Sequence, residues 1–272
     1  MRIVSICPSN TELAAYLGLT SSLVGIDDYS DWPDEVQSLP KLGPDLDIDM
    51  DRVESLKPDL VLASLSVPGM EKNIERLNER NIPYHIFNPN TLEEIAEDLK
   101  TLGKLTGIEE HAAKVAAEFL KVIEKYRSIS RTVTDRPSLY WEWWPKPVFT
   151  PGGQNWLTEI SSLAGAENCF QDVDKASVES DWEYVRNREP DHVCLVWVGV
   201  QTKNVKPDLL WKRPNWDEMK ALRNNNVHVL DEPFFCRPSP RLLIGLQKIA
   251  AILHPEKYPA FKLETEDPLL KS

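Results

Sequence analysis

The sequence predicts an α/β protein made of two similar halves, each with a parallel or mostly parallel sheet. Three observations carry that reading. Short apolar runs alternate with amphipathic helical runs along nearly the whole chain, the pattern of strands covered on both faces by helices. A Pro-Asp pair stands directly before an apolar strand twice, at Pro58-Asp59 and at Pro190-Asp191. Between the halves lies one uninterrupted helical pattern, Glu109 to Ser130, with no Pro or Gly.

Taken in order, Ile3 to Cys7 reads as a buried strand. Ser9-Asn10-Thr11-Glu12 has the spacing of a capping box and opens a helix that ends at Gly18. Leu23 to Ile26 is a second strand. Asp49 caps a helix through Leu56, and Pro58-Asp59 turns the chain into the strand Leu60 to Ala63. A helix from Glu71 to Glu79, a strand from Tyr84 to Phe87 and a helix from Thr91 to Leu105 complete the first half. In the long segment, Ala112, Val115, Ala116, Phe119, Val122, Ile123 and Tyr126 keep helical spacing. A helix of ~20 residues is ~30 Å long, enough to run between two lobes.

The second half repeats the alternation. Strands are expected at Ser138 to Trp144, His192 to Val198 and Val227 to Leu230. Helices are expected at Gln154 to Ala164, Trp182 to Arg188, Trp216 to Arg223 and Arg241 to Leu253, and the last ten residues read as a frayed tail. The expected division is an N-terminal lobe over 1–106, a linking helix over 107–131 and a C-terminal lobe over 132–272.

Composition narrows the function. The 272 residues carry 43 acidic and 31 basic side chains, a formal charge of −12. Phosphate backbones and anionic membranes need a concentrated Lys/Arg field, so nucleic acid is not an expected partner. No apolar run approaches the ~20 residues of a membrane span. The opening Met1-Arg2-Ile3-Val4 enters a strand pattern at once and lacks the features of a signal peptide, so the chain as written is expected in the cytoplasm, and outside it if a leader has been trimmed. The four cysteines are scattered with no Cys-x-x-Cys pair, and Cys7 and Cys194 are expected to be buried thiols.

The densest local signal is Tyr140-Trp141-Glu142-Trp143-Trp144, which holds three of the nine tryptophans. Strand alternation sends Trp141 and Trp143 to one face, Glu142 and Trp144 to the other. Two-sided core packing explains this segment, and so does an indole at the mouth of a cleft, where broad aromatic faces meet a bulky ligand.

Five stretches, in order, resemble the helical-backbone substrate-binding proteins of ABC importers, and among these the cobalamin-binding branch. They are Arg2-Ile3-Val4-Ser5-Ile6-Cys7-Pro8-Ser9-Asn10-Thr11-Glu12, Val24-Gly25-Ile26-Asp27-Asp28-Tyr29-Ser30-Asp31, Leu56-Lys57-Pro58-Asp59-Leu60-Val61-Leu62, Pro147-Val148-Phe149-Thr150-Pro151-Gly152 and Arg237-Pro238-Ser239-Pro240-Arg241. The resemblance spans roughly residues 2 to 253. It implies two Rossmann-like α/β lobes joined by one long helix, a ligand cleft between them, and a binding protein rather than an enzyme. It also implies docking on an ABC permease dimer through one glutamate per lobe. Glu71 and Glu183 match by position, and each opens a predicted helix, where a negative charge also suits the macrodipole.

Loops at strand C-termini line ligand sites in open α/β sheets. With the resemblance, this makes Tyr29, Trp143, Trp144, Trp197, Phe235 and Arg237 the candidate ligand-binding residues. Tyr29 reads equally as a turn residue, Trp197 as core, and Trp143 and Trp144 are interchangeable in role. Arg237 is the one clear cationic candidate. Aromatic walls with so little positive charge favour a corrinoid over an anionic ferric siderophore. One departure is Leu65-Ser66, where the resembled cobalamin binders carry a tryptophan. Ferric siderophore, haem, and a leaderless cytosolic corrinoid-salvage role stay open as alternatives.

Other chemistry finds no support in the pattern. There is no P-loop and no Gly-x-Ser-x-Gly elbow. The five histidines are isolated in sequence, so no resident metal or cofactor is expected. The expectation is a monomeric binder of one small-molecule chelate.

Overall fold

The computed structural model describes residues 1–262 and 267–270. The remaining six positions of the expected tail lie outside the described residues. The described residues divide into two compact units, 1–89 with 93–120, and 90–92 with 121–262 and 267–270.

The first unit contains β1 (Ile3–Ser5), α1 (Pro8–Tyr16), β2 (Leu23–Ile26), α2 (Met50–Ser55), β3 (Leu60–Ser64), α3 (Glu71–Glu79), β4 (Tyr84–Phe87) and most of α4 (Leu92–Thr106). All its strand pairs are parallel, in the order β2-β1-β3-β4. Both faces are covered, which is why β1 and β3 are buried at every position. Val4, Ile6, Leu42, Ile48, Val53, Val61 and Leu77 form its core on one side. Asp49 caps α2 as predicted, accepting from the amides of Asp51 and Arg52 at 3.1 Å each.

The start of α1 departs from the sequence reading. Cys7, not Ser9, is the N-cap, and no side chain caps it. Pro8 takes the first helical position, where its fixed φ is already helical and its missing N–H costs nothing. Ser9, Asn10, Thr11 and Glu12 are thereby drawn into the helix and buried.

The long periodic segment is α5 (Glu109–Ser130), with the bounds the spacing predicts. Ala112, Ala116, Phe119, Ile123 and Tyr126 are buried along it. Its residues to Leu120 pack with the first unit and those from Lys121 with the second. Gly103 permits the close approach of α4 to α5, since a Cβ there would stand 2.2 Å from that of Ala112.

The second unit contains β5 (Ser138–Glu142), β6 (Trp144–Pro145), β7 (Val148–Pro151), α6 (Trp156–Leu163), β8 (Glu167–Asn168), β9 (Ser177–Ser180), α7 (Trp182–Asn187), β10 (His192–Leu195), α8 (Lys220–Arg223), β11 (Val227–Val229) and α9 (Leu242–Leu253). A parallel sheet runs β11-β10-β5-β8, and a small antiparallel sheet runs β6-β7-β9.

The expected strand Ser138 to Trp144 is therefore two strands. The chain leaves the parallel sheet after Glu142, and Trp144 pairs with Phe149 in the antiparallel one. The expected helix Trp216 to Arg223 is a 3-10 turn at Trp216–Glu218 followed by α8. It is preceded by Asn215 in the left-handed region (φ 60°) and interrupted by Met219 in extended conformation.

Candidate functional site

Each unit presents its candidate residues at the C-terminal edge of its own sheet. In the first unit, β2 ends at Ile26 and Tyr29 lies in the turn that follows, with 49% of its surface exposed. Buried Asp27 holds that turn. One of its carboxylate oxygens accepts from the amides of Tyr29 (2.7 Å) and Ser30 (3.0 Å), and the other accepts from the Ser30 hydroxyl (2.5 Å). The loop after β3 is closed by its own hydroxyls, with Ser64 Oγ donating to Ser66 Oγ at 2.9 Å. Leu65 and Ser66 follow this strand, so no aromatic ring stands at this position. Glu71 is the first residue of α3, and its carboxylate accepts from the Gly69 amide at 2.7 Å.

The second unit sorts the tryptophan cluster residue by residue. Trp141 is fully buried; its Nε1 donates to Ser161 Oγ at 2.9 Å, and its ring packs 5.4 Å from that of Phe235. Trp143 is half-buried against Trp156, centroids 6.2 Å apart, and its enclosed Nε1 has no partner among the described residues. Trp144 is 43% exposed on the antiparallel hairpin. The segment is thus divided, with Trp141 in the core and Trp144 on the surface. Trp197 is nearly buried, and its Nε1 donates to Glu142 at 3.0 Å, leaving only ring edges and faces to offer.

Two candidates are placed differently from a simple contact role. Phe235 is fully enclosed; its ring packs on Trp141 and its carbonyl accepts from Trp156 Nε1 at 2.8 Å, so it supports neighbouring aromatics from behind. Arg237, the expected cation, is largely buried and paired with Glu232 at 3.1 Å. Its charge is neutralised within the chain.

The residue missed at the sequence level is Glu142. It is wholly buried in β5 and accepts four hydrogen bonds. Tyr140 Oη (2.8 Å) and Trp197 Nε1 (3.0 Å) supply two, and the Arg213 fork supplies the others at 2.6 and 2.8 Å. The Arg213 guanidinium lies 4.3 Å from the Trp216 ring centroid and 5.0 Å from that of Trp182. Burial first, and then the Glu142 charge, push the Tyr140 phenol well above its ordinary pKa, so it stays a donor. A lone carboxylate in an otherwise apolar strand signals a buried cationic partner. Arg213, 71 positions away, cannot be picked out from spacing.

Trp182 opens α7 beside Glu183. Its Nε1 donates to Pro145 O at 2.7 Å, and its own carbonyl accepts from Trp216 Nε1 at 3.0 Å. Asp181 caps the helix through the Tyr184 amide. Glu183 is exposed, makes no ion pair among the described residues, and stands on the rim of a groove of about 750 Å³ lined by Pro145, Lys146, Pro147, Trp182, Arg186 and Pro214.

Two of the histidines lie side by side. His192 and His228 meet across neighbouring strands, Nδ1 to Nε2 at 2.9 Å. Burial lowers both pKa values, that of His192 to about 4 with the nearby His228 as second cause. Among the described residues no group of three or more His, Cys, Asp or Glu is placed to hold a metal ion.

Comparison with known proteins places this architecture. The family model "Periplasmic binding protein" matches residues 3–234. A vitamin B12-binding protein of Vibrio parahaemolyticus is 28% identical over 249 residues, covering 91% of this chain and 87% of the relative. YvrC of Bacillus subtilis, described as an uncharacterized ABC transporter substrate-binding lipoprotein, is 28% identical over 264 residues, covering 94% and 81%. Among solved structures, the periplasmic vitamin B12 binding protein BtuF of Vibrio cholerae superposes with a TM-score of 0.77 at 25% identity, covering 93% of this chain and 96% of that one. A periplasmic heme binding protein of Pseudomonas aeruginosa superposes with a TM-score of 0.82 at 21% identity, covering 95% and 94%, a likeness of fold. No helix among the described residues is long and apolar enough to cross a membrane. With two parallel-sheet units, a long intervening helix and a family match over most of its length, the chain belongs to the periplasmic binding protein family, as a substrate-binding protein of the ABC-importer type.

Proposed function

We propose that the protein captures a corrinoid, cobalamin or cobinamide, and hands it unchanged to an ABC permease dimer. The observation that carries this reading is the character of the exposed candidates. Tyr29 and Trp144 offer broad, uncharged aromatic surface, while the one candidate cation, Arg237, is already neutralised by Glu232. A large, nearly neutral macrocycle is served by such surfaces; an anionic ferric siderophore calls for unpaired cations. Relatives named as vitamin B12-binding proteins, aligned over 91% of the chain, support the same ligand class. Tyr29, Trp143 and Trp144 are assigned to ligand contact, with Trp197 and Phe235 behind them.

Delivery rests on Glu71 and Glu183. Both are exposed first-turn carboxylates of helices, and the Glu183 carboxylate has no ion pair of its own among the described residues. A permease surface bearing arginines complements them.

The test is calorimetry and tryptophan quenching with cyanocobalamin, dicyanocobinamide, haem and a ferric hydroxamate. The expected result is saturable binding of the corrinoids, weakened by Tyr29→Ala and by Trp144→Ala. Saturation by haem or the hydroxamate with no corrinoid signal replaces the ligand assignment. For delivery, the Glu71→Ala/Glu183→Ala double variant keeps ligand affinity and loses stimulation of the reconstituted importer; undiminished uptake refutes the docking role.

A further inference from the structure

Tyr29 is the most exposed aromatic among the ligand candidates, and an exposed ring on a loop contacts a ligand productively only if the loop is fixed before the ligand arrives. The turn that bears it is held with unusual completeness. Asp27 is fully buried, although its side chain is a carboxylate. Its Oδ1 takes both successive amides of the turn, Tyr29 and Ser30, and its Oδ2 takes the Ser30 hydroxyl.

The clamp is anchored on three further sides. Thr11 Oγ1 lies 2.6 Å from Ser30 Oγ and 2.8 Å from Ser5 Oγ, with one hydroxyl proton to share between them, so the turn packs against α1 and β1 through this hydroxyl chain. The Lys41 ammonium donates to the carbonyls of Ser30 (2.7 Å) and Asp27 (3.3 Å). The backbone of Asp28 is bonded to Gly43 O at 2.9 Å, and its carboxylate accepts from the Gly43 amide at 3.1 Å. Apart from the Thr11–Ser5 contact, each of these bonds engages Asp27, Asp28, Ser30 or the Tyr29 amide, and none engages the Tyr29 ring. The ring is left outward while its base is immobilised.

We propose that Asp27 is a positioning residue for ligand capture: its buried carboxylate fixes the Tyr29–Ser30 turn and so holds the Tyr29 ring in its contact orientation. The proposal rests on the reading of Tyr29 as a ligand contact. Burying a carboxylate is unfavourable without donors directed at it, and here three donors converge on one side chain for the sake of a surface turn. Burial raises its pKa to about 6, against which the Ser30 hydroxyl and the Tyr29 amide pull it down. The group is therefore ionised, and at its strongest as an acceptor, at neutral pH. An aliphatic residue at position 27 would fill the same space but could not order the turn.

The experiment compares wild type, Asp27→Ala, Asp27→Asn, Ser30→Ala, Tyr29→Ala and the Asp27→Ala/Tyr29→Ala double variant at pH 7.5. Cyanocobalamin and dicyanocobinamide affinity and amide hydrogen exchange are measured in each, and near-ultraviolet circular dichroism confirms the fold. Asp27→Ala and Tyr29→Ala each weaken binding about tenfold, Ser30→Ala weakens it less, and the double variant binds no worse than Tyr29→Ala alone. Asp27→Asn, which keeps an acceptor for both amides, restores most of the loss. Protection of the Tyr29 and Ser30 amides falls in Asp27→Ala while core amides keep theirs. Wild-type affinity in a folded Asp27→Ala, losses that multiply in the double variant, or unchanged protection of those two amides overturns the proposal. If wild type binds neither corrinoid, the assignment of ligand falls, and the exchange of the two amides still decides whether Asp27 orders the turn.

Discussion

Arg213→Met is the most informative single perturbation of this fold. The arginine side chain is 3% exposed and its partner Glu142 is 0% exposed, with fork contacts at 2.6 and 2.8 Å. Methionine fills much of the volume but leaves the enclosed Glu142 carboxyl with only the Tyr140 hydroxyl and the Trp197 indole as donors. Breaking a buried pair from one side costs about 3–5 kcal/mol, because the remaining charge has lost its compensation. Loss of the guanidinium stacked 4.3 Å from Trp216 and 5.0 Å from Trp182 adds about 1 kcal/mol. The sum, about 5 kcal/mol, corresponds to a fall in Tm of roughly 10–20 °C for a unit of some 150 residues. Urea unfolding followed by tryptophan fluorescence, with calorimetry beside it, reads the loss directly. Removing both charges in Glu142→Leu/Arg213→Met should recover most of it, since the uncompensated carboxylate is then gone. A loss below 1 kcal/mol for the single variant, or a double variant no more stable than the single, refutes the claim that this pair is closed off from solvent and mutually dependent.

Three further outcomes follow from the same coordinates. Gly245→Ala should cost about 1–3 kcal/mol in chemical unfolding, because the new Cβ would lie 2.1 Å from the Phe234 carbonyl and 3.1 Å from the Phe235 ring; a neutral result would mean that loop yields freely. Cys7 and Cys194 should resist iodoacetamide at pH 8 in the native protein and react after unfolding, read by mass spectrometry. Burial, and then the Asp27 charge, push the Cys7 thiol up to about 11, and burial raises Cys194 further. Asp27 gives a pH dependence of known sign. Its folded pKa of about 6 lies above its ordinary 3.8, so its stabilising contribution is full below about 4 and is lost as pH rises through 6. That window is worth about 3 kcal/mol. Relative to wild type, Asp27→Asn should therefore gain up to that amount between pH 4 and pH 7.5; a difference that does not change with pH contradicts it.

The dependence of stability on Asp27 and its role in the Tyr29 turn act in opposite directions. Ionisation at neutral pH lowers global stability while giving the two turn amides their best acceptor. Strained or costly groups kept at contact surfaces are a recurring consequence of selection for binding over stability.

Much of the architecture was readable from local pattern. The bounds of α5 coincide with the predicted Glu109 to Ser130, because Ala112, Ala116, Phe119 and Ile123 recur at helical period and nothing breaks the run. The Asp49 cap is legible in the sequence because capping is decided within three residues. The start of the first helix is ambiguous in the sequence because two local signals compete, and Pro8 at N1 prevails over Ser9 as a cap. Among the candidate residues, pattern named the aromatic cluster but could not rank its members. Trp141 is interior because Ser161, twenty positions on, receives its indole N–H, while Trp144 is outward because the chain changes sheets after Glu142. Arg237 reads as a free cation in sequence and is paired with Glu232 in the fold.

The sequence by itself determined the alternation of strands and helices, the single long helix and the family, since each depends on periodicity or on residues adjacent in the chain. Only the tertiary structure decided which rings face outward and which charges survive unpaired. Those properties arise where segments dozens of residues apart meet, as Glu142 meets Arg213, and a carboxylate's environment is set by what packs around it rather than by its neighbours in the chain.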